Sequence, residues 1–585
     1  MKNIRGLWLV VAGLFLLTAC QGESNERLWM KSPDWSRAQA VGGMGIPDPA
    51  PFALDDAGNI YFLFIDGELE FLQAKVVAID KRGDHLWSHT FDDILRRPDD
   101  PQIVWNGEAL YAFWISNGAL LTVRLDESGN VLQEPAVISG NIQVDSYSAV
   151  SGPNGNLAVW FATDRRQSGL YAADVFMGQE PQLIDEDGVL PSIRFSKDGT
   201  LHAVWAHYPS DNPKTEFLYA SYKGGSYTSG GGLIVYETNI PFTADMVGPT
   251  LGLDRDNIYI YWIKLLRTGL DAGSMESRFV TFPQTAPDQV SRPQTTFIPA
   301  EHDLSYEPFA EEAVHVGARY PLNDRPSPGL SVIQDINTNQ TQEDELAVVF
   351  RAAVNYYWRR DASQIALVYL QDGTPTSYQL LSFTQQPSTD PTVVSDENGS
   401  LYVSWLETGD VSRYKVYFAS TSDSIVNAFN PLTVSDVTDL TAATIFGLLT
   451  GVLLAPVAAV LFLVLPMLVV GLTSIIRRGE QSFRSPGTII SFILAIAIFQ
   501  VAKVAALPGM IDYVPFSAWL PLLEVVKVPL QIIVPLIIMI VAVWNAWNFT
   551  YRRKAESPLY FMILYVAIDS LFTMAVYGVL FYGAF

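Results

Sequence analysis

Two hydrophobic patterns divide the chain. Up to about residue 435, apolar residues alternate with polar ones in short segments that end at turns rich in Asp, Asn and Gly, and this period of two predicts strands with one buried face. From residue 441 the apolar residues run on without alternation, over 443–476, 487–507, 518–548 and 558–583. Each run reaches the roughly 20 residues that cross a bilayer as a helix. Pro456, Pro466, Pro529 and Pro535 lie inside the first and third runs and predict bends or tilts there.

The alternating half repeats itself. PSIRFSKDGTLHAVW (191–205), PTLGLDRDNIYIYW (249–262) and PTVVSDENGSLYVSW (391–405) each run from a proline through an extended segment and a polar turn to a tryptophan. Weaker copies end at Phe64, Trp114, Phe161 and Phe350, with turn anchors Gly58, Gly107, Gly155, Gly199 and Asn257 spaced 44 to 58 residues apart. One or two degenerate units are expected between residues 258 and 345. A four-stranded unit of this length cannot bury its faces alone, so the units stack radially. The predicted fold is an all-β propeller of about seven blades (six to eight), followed by an all-α domain of four transmembrane helices. The expected boundaries are an N-terminal segment over 20–48, the propeller over 49–435 and the membrane domain over 441–585.

DGTLHAVW and its relatives resemble the repeats of sialidase-like and other bacterial propellers. That resemblance implies an architecture more than an activity. Ser196-Lys197-Asp198-Gly199-Thr200 places its glycine one position earlier than the sialidase Asp-box does. The three arginines, the tyrosine with its glutamate base and the acid/base aspartate of that family match no positions in this chain. Asp56, Asp198 and Asp396 are expected to form turns. Arg194, between apolar Ile193 and Phe195 on an expected inner strand, points to the opposite face from both and is the candidate for a channel-facing group in a glycan hydrolase.

The first twenty residues have the layout of an export signal. Lys2 and Arg5 precede an apolar core from Leu7 to Leu17, and small Thr18 and Ala19 precede Cys20, the one cysteine of the chain. Leu17-Thr18-Ala19-Cys20 resembles the bacterial lipobox, which implies cleavage after residue 19 and lipid on Cys20. With one cysteine, no intramolecular disulfide can form.

Charge is unevenly placed. Of 37 basic and 61 acidic residues, eight and seven lie from Asp436 onward and two basic ones lie in the signal, so 27 basic and 54 acidic residues remain between Cys20 and Ser435. An acidic surface of this kind argues against nucleic acid as a partner. The basic loops 477–486 and 551–557 are expected on the cytoplasmic side of the cytoplasmic membrane. This puts the propeller outside, in agreement with the export signal.

Within the runs, Lys503, Glu524, Lys527 and Asp569 are ionisable. Such groups in a membrane are costly and are read by default as functional. The depth of each along its helix favours Lys527 as the partner of Asp569, ahead of Lys503, with Lys503 and Glu524 reaching for the interface. A transport or relay role is the competing reading. The chain shows no metal-ligand spacing, phosphate loop, nucleophile elbow or kinase set, so neither metal nor cofactor is expected. The expected partners are membrane lipid, a glycan or protein ligand on the propeller, and a membrane protein beside the helices.

Overall fold

The computed structural model describes residues 32–582 except 33, 69–70, 92–97, 165–168, 174, 176–179, 210–213, 224–226, 228–230, 240–243, 268–274, 300–315, 323–332, 343–344, 358–359, 383, 385, 410–412, 432–433, 477–484, 508, 518–521 and 553–556. The chain forms two compact units, one over 30–302 and 315–431 and another that takes in 432–585.

The first unit is a β-propeller of seven antiparallel blades. The inner strands are Phe52–Leu54, Pro98–Trp105, Ser146–Ser151, Gly188–Phe195, Ala244–Leu253, Ile333–Gln342 and Ser388–Ser395. Each packs against the next, and the last returns to the first. Blade 7 closes the ring by taking its outermost strand, Gln39–Met44, from the N-terminal side, paired with Tyr414–Ser420. The propeller therefore begins before residue 49, and part of the segment assigned to 20–48 belongs to it. Trp35 extends this, packing in the core beside blades 6 and 7 and donating its indole N–H to Gln379 Oε1 at 3.2 Å.

No additional blade occurs between residues 258 and 345 among the described residues. The gap in the repeat spacing is filled by blade 6, whose outermost strand, Tyr320–Pro321, precedes its inner strand in the chain. The aromatic repeat positions Phe64, Trp114, Phe161, Trp205, Trp262, Phe350 and Trp405 are all buried. Packing between blades is their role.

Register explains the repeated proline. The inner strands of blades 2, 4, 5 and 7 carry a bulge between Asp99 and Gln102, Val189 and Ser192, Val247 and Thr250, and Thr389 and Thr392. Inside each lies a residue with positive φ followed by proline: Asp100 (48°), Leu190 (54°), Gly248 (92°) and Asp390 (52°). Proline cannot donate to the ladder and is accepted where the ladder is already broken. The polar turns at the other end are held by side chains. Asp55 Oδ1 accepts the N–H groups of Ala57 (2.9 Å) and Asn59 (2.8 Å), and its Oδ2 accepts the Tyr61 hydroxyl (2.8 Å). Asp254 repeats this arrangement with Asp256, Asn257 and Tyr259. Asp198 and Asp396 form turns as expected, but in blade 1 Asp55 does so and Asp56 is exposed.

The second unit contains four helices long and apolar enough to cross a membrane. They are Val434–Ile476, Pro486–Ala506, Glu524–Arg552 and Pro558–Tyr577, and the helix runs on through all four internal prolines. The third begins at Glu524, later than the apolar pattern places it. The fourth is the centre of the bundle: half of its most apolar window is buried, against 11% for the third. Side-chain contacts pair Phe492 with Phe561, Phe499 with Tyr565, Lys503 with Asp569 and Tyr513 with Tyr577. This rising series shows that the second and fourth helices run parallel.

Candidate functional site

Two regions carry chemistry, one in each unit. In the propeller, the polar-turn ends of the inner strands surround a cavity of about 460 Å³ on the channel axis. Its apolar wall includes Phe52, Ile103, Trp105 and Val394, and its polar groups include Lys197, Asn339, Asp396 and Glu397. It adjoins a wider depression of about 930 Å³ that shares Trp105, Asp396 and Glu397 and adds Asp56, Lys81 and Glu108. Loops from separate blades converge here because every inner strand ends at this face.

Arg194 borders the smaller cavity, but its guanidinium is committed to the fold. Nε donates to Leu251 O (2.8 Å), and Nη2 donates to Thr338 O and to Thr338 Oγ1 (3.0 Å). It thus ties the inner strands of blades 4, 5 and 6 together, and burial pulls its pKa down to about 10. It is the only arginine on the seven inner strands. A cluster of three arginines is therefore not built from these strands.

At the opposite end of the same strands lies an acidic crescent that sequence reasoning missed. Asp335, Asp390, Asp99 and Asp100 come from blades 6, 7 and 2, and Asp48, on the segment leading into blade 1, accepts the Asp100 N–H at 3.3 Å. Burial, and then Asp99 beside it, raises the Asp48 pKa to about 7; burial, then Asp99 and Asp145, raises Asp100 to about 7; and burial, then Asp335, raises Asp390 to about 6. Arg351 Nε pairs with Asp335 at 2.8 Å. The pairs Asp100-Pro101 and Asp390-Pro391 were a usable signal, since an Asp before proline at a bulge tolerates the left-handed backbone.

Turn chemistry also builds a hydrogen-bonded chain in blade 4 that runs from exposed Asp198 to buried His202 and Tyr219. The Ser196 hydroxyl donates to Asp198 Oδ1 (2.6 Å), His202 Nε2 lies 3.2 Å from that hydroxyl oxygen, and His202 Nδ1 lies 2.7 Å from the Tyr219 hydroxyl. With the serine proton given to Asp198, His202 Nε2–H donates to Ser196 and Nδ1 accepts from Tyr219. Burial lowers the His202 pKa to about 4.

In the helical unit, Lys503 and Asp569 are brought together and fully buried, each 0% exposed. Lys503 Nζ donates to Asp569 Oδ1 at 2.8 Å and to Thr573 Oγ1 at 3.3 Å. Gln500 Nε2 donates to Asp569 Oδ2 (3.2 Å) and to the Tyr565 hydroxyl (2.8 Å), and Thr573 donates to Asp569 Oδ1 (3.0 Å). The partner of Asp569 is thus Lys503 and not Lys527, and Lys503 does not reach for the interface. The parallel register of the second and fourth helices sets Lys503 level with Asp569, whereas Lys527 lies in the first turn of the third helix and is partly exposed. Depth alone could not reveal which helices face each other. Cys20 and the Glu524 side chain lie outside what the structure describes, as do most of the two basic loops. No group of His, Cys, Asp or Glu suited to a metal occurs among the described residues.

No protein-family model matches this sequence, and no curated protein matches it. Solved structures similar to the chain include the polysaccharide lyase Uly1 (8% identity, TM-score 0.44, covering 65% of this chain and 91% of that one). AofleA from Arthrobotrys oligospora is 10% identical with a TM-score of 0.32, over 62% of this chain and 95% of its own. A sialidase from Trypanosoma rangeli is 9% identical with a TM-score of 0.29, over 70% and 57%. Likenesses this distant say nothing about activity.

Proposed function

We infer that this chain is an exported bacterial membrane protein whose propeller binds a ligand or protein partner at the polar-turn face, while the four apolar helices anchor it and lipid on Cys20 adds a second hold. The observation that carries the binding reading is the axial cavity, where charged and polar groups from several blades converge beside a smaller apolar wall. Convergent polar groups in a concavity are what fix a ligand's orientation. Export rests on the signal layout, and orientation rests on the basic loops. The competing reading, a sialidase-like hydrolase, has the propeller fold in its favour, but site chemistry decides activity and Arg194 is spent on backbone carbonyls.

Three measurements on the full-length protein test this. Metabolic labelling with a fatty acid should mark the wild type and not Cys20→Ser. In that cysteine-free background, Glu397→Cys should react with a membrane-impermeant maleimide on intact cells; protection until the cells are lysed would reject the orientation. Glycan and peptide arrays probed with the detergent-purified protein should yield a ligand whose binding is lost in Lys197→Ala or Glu397→Ala. Binding unaffected by both changes would move the site elsewhere.

A further inference from the structure

The fourth apolar helix carries Tyr565, Asp569, Thr573 and Tyr577 at intervals of four, and all four are fully buried. Residues four apart share a helix face, so these side chains form one polar stripe inside an otherwise apolar bundle. A buried pair that served only to lock helices would need hydrogen bonds for its own remaining protons and lone pairs, as Gln500 and Thr573 provide, and nothing more. The bundle holds more polarity than that: among the described residues, the buried hydroxyls of Tyr577 on the stripe and of Ser570 off it have no hydrogen-bond partner. Aromatic side chains close it on one side, with Phe492 against Phe561 and Phe499 against Tyr565. On the other side lie Leu507, Met510, Tyr513 and Val579.

The partners of the two charges are arranged for more than one protonation state. Lys503 Nζ already has Thr573 Oγ1 at 3.3 Å and the face of the Phe499 ring at 5.6 Å, besides Asp569. Asp569 has Gln500 on its second oxygen as well as Thr573 on the first. If the carboxylate takes up a proton, forming an O–H bond and losing its charge, Gln500 still bonds an Asp569 oxygen. The ammonium then keeps a hydroxyl and a ring that attracts cations. Other ionisable groups do not interfere. The first helix has none between Thr441 and Ile476 and the third has none between Val528 and Phe549; the phenols of Tyr565 and Tyr577 lie on the stripe itself, and Tyr513 packs against Tyr577.

We propose that Asp569, with Lys503, Gln500 and Thr573 around it, is a reversible proton-binding site built into the helical bundle. A metal cation is not its ligand, because the lysine ammonium already occupies the cation position. The site is independent of whatever the propeller binds, so its failure would leave the binding proposal untouched.

The test is infrared difference spectroscopy of the full-length protein in lipid as pH is lowered, with Lys503→Met/Asp569→Leu as the reference. The double change removes both charges together, so the reference does not depend on a folded variant with one charge left unpaired. The expected result is a carbonyl band of an un-ionised carboxylic acid in the wild type, absent from the reference, reversible on return to high pH and shifted in heavy water. Absence of that band down to the lowest pH at which the wild type stays folded would overturn the proposal and leave the pair a fixed structural lock.

Discussion

Replacing Asp569 by alanine would leave Lys503 buried with only the Thr573 hydroxyl at 3.3 Å and the Phe499 ring at 5.6 Å. Removing one partner of a buried pair typically costs about 3–5 kcal/mol, because the remaining charge is stranded, whereas replacing both by apolar groups is often tolerated. In Lys503→Met/Asp569→Leu, Gln500 loses its 3.2 Å acceptor and keeps the Tyr565 hydroxyl at 2.8 Å, and Thr573 loses its 3.0 Å acceptor. Thr573 can turn to the backbone carbonyl four residues back. At about 1 kcal/mol for each lost bond, the double variant should lie within about 2 kcal/mol of the wild type. It should therefore exceed Asp569→Ala in stability even though it changes more atoms. Folded yield in detergent and the midpoint of thermal unfolding measure this. A double variant no better than the single one, or a harmless Asp569→Ala, would refute the reasoning.

The propeller supplies predictions of opposite sign with pH. His202 is held neutral, with a folded pKa of about 4 against 6.5, so its contribution is complete above pH 6.5 and is lost as pH falls toward 4, by at most about 3 kcal/mol; unfolding curves of His202→Asn should show a flatter acid limb than the wild type. Asp100, raised to about 7 from 3.8, makes the fold less stable as pH rises from 4 through 7. Asp100→Asn, which suits the positive φ there, should raise the unfolding midpoint at about pH 8 and lose that advantage in acid. Arg194→Met should cost about 2–4 kcal/mol by leaving the carbonyls of Leu251 and Thr338 short of donors, and Arg194→Lys should recover only part of it, since an ammonium cannot bridge both; equal stability of all three proteins would reject its role as a tie between blades.

Alternation, polar turns and continuous apolar runs were legible in the sequence because they are local consequences of how strands and membrane-length helices bury surface. They sufficed for the propeller, its approximate blade count and the four long helices. The role of the repeated tryptophans was legible for the same reason. What the sequence could not supply was pairing between distant segments. Ring closure by Gln39–Met44 joins residues some 370 positions apart, and no periodicity marks a strand that borrows its partners from the other end of the domain. The repeated proline was visible, but that it sits in a bulge, with Asp100 and Asp390 just before it at one end of the inner strands, became apparent only from the register of the ladders. Arg194 was found from alternation, yet its use was decided by two neighbouring blades that place carbonyls within its reach. In the bundle, composition identified the four ionisable residues, and the rise per residue gave their depth. Rotation and register between helices chose Lys503 for Asp569, because an ion pair depends on two side chains meeting in three dimensions and depth is only one of them.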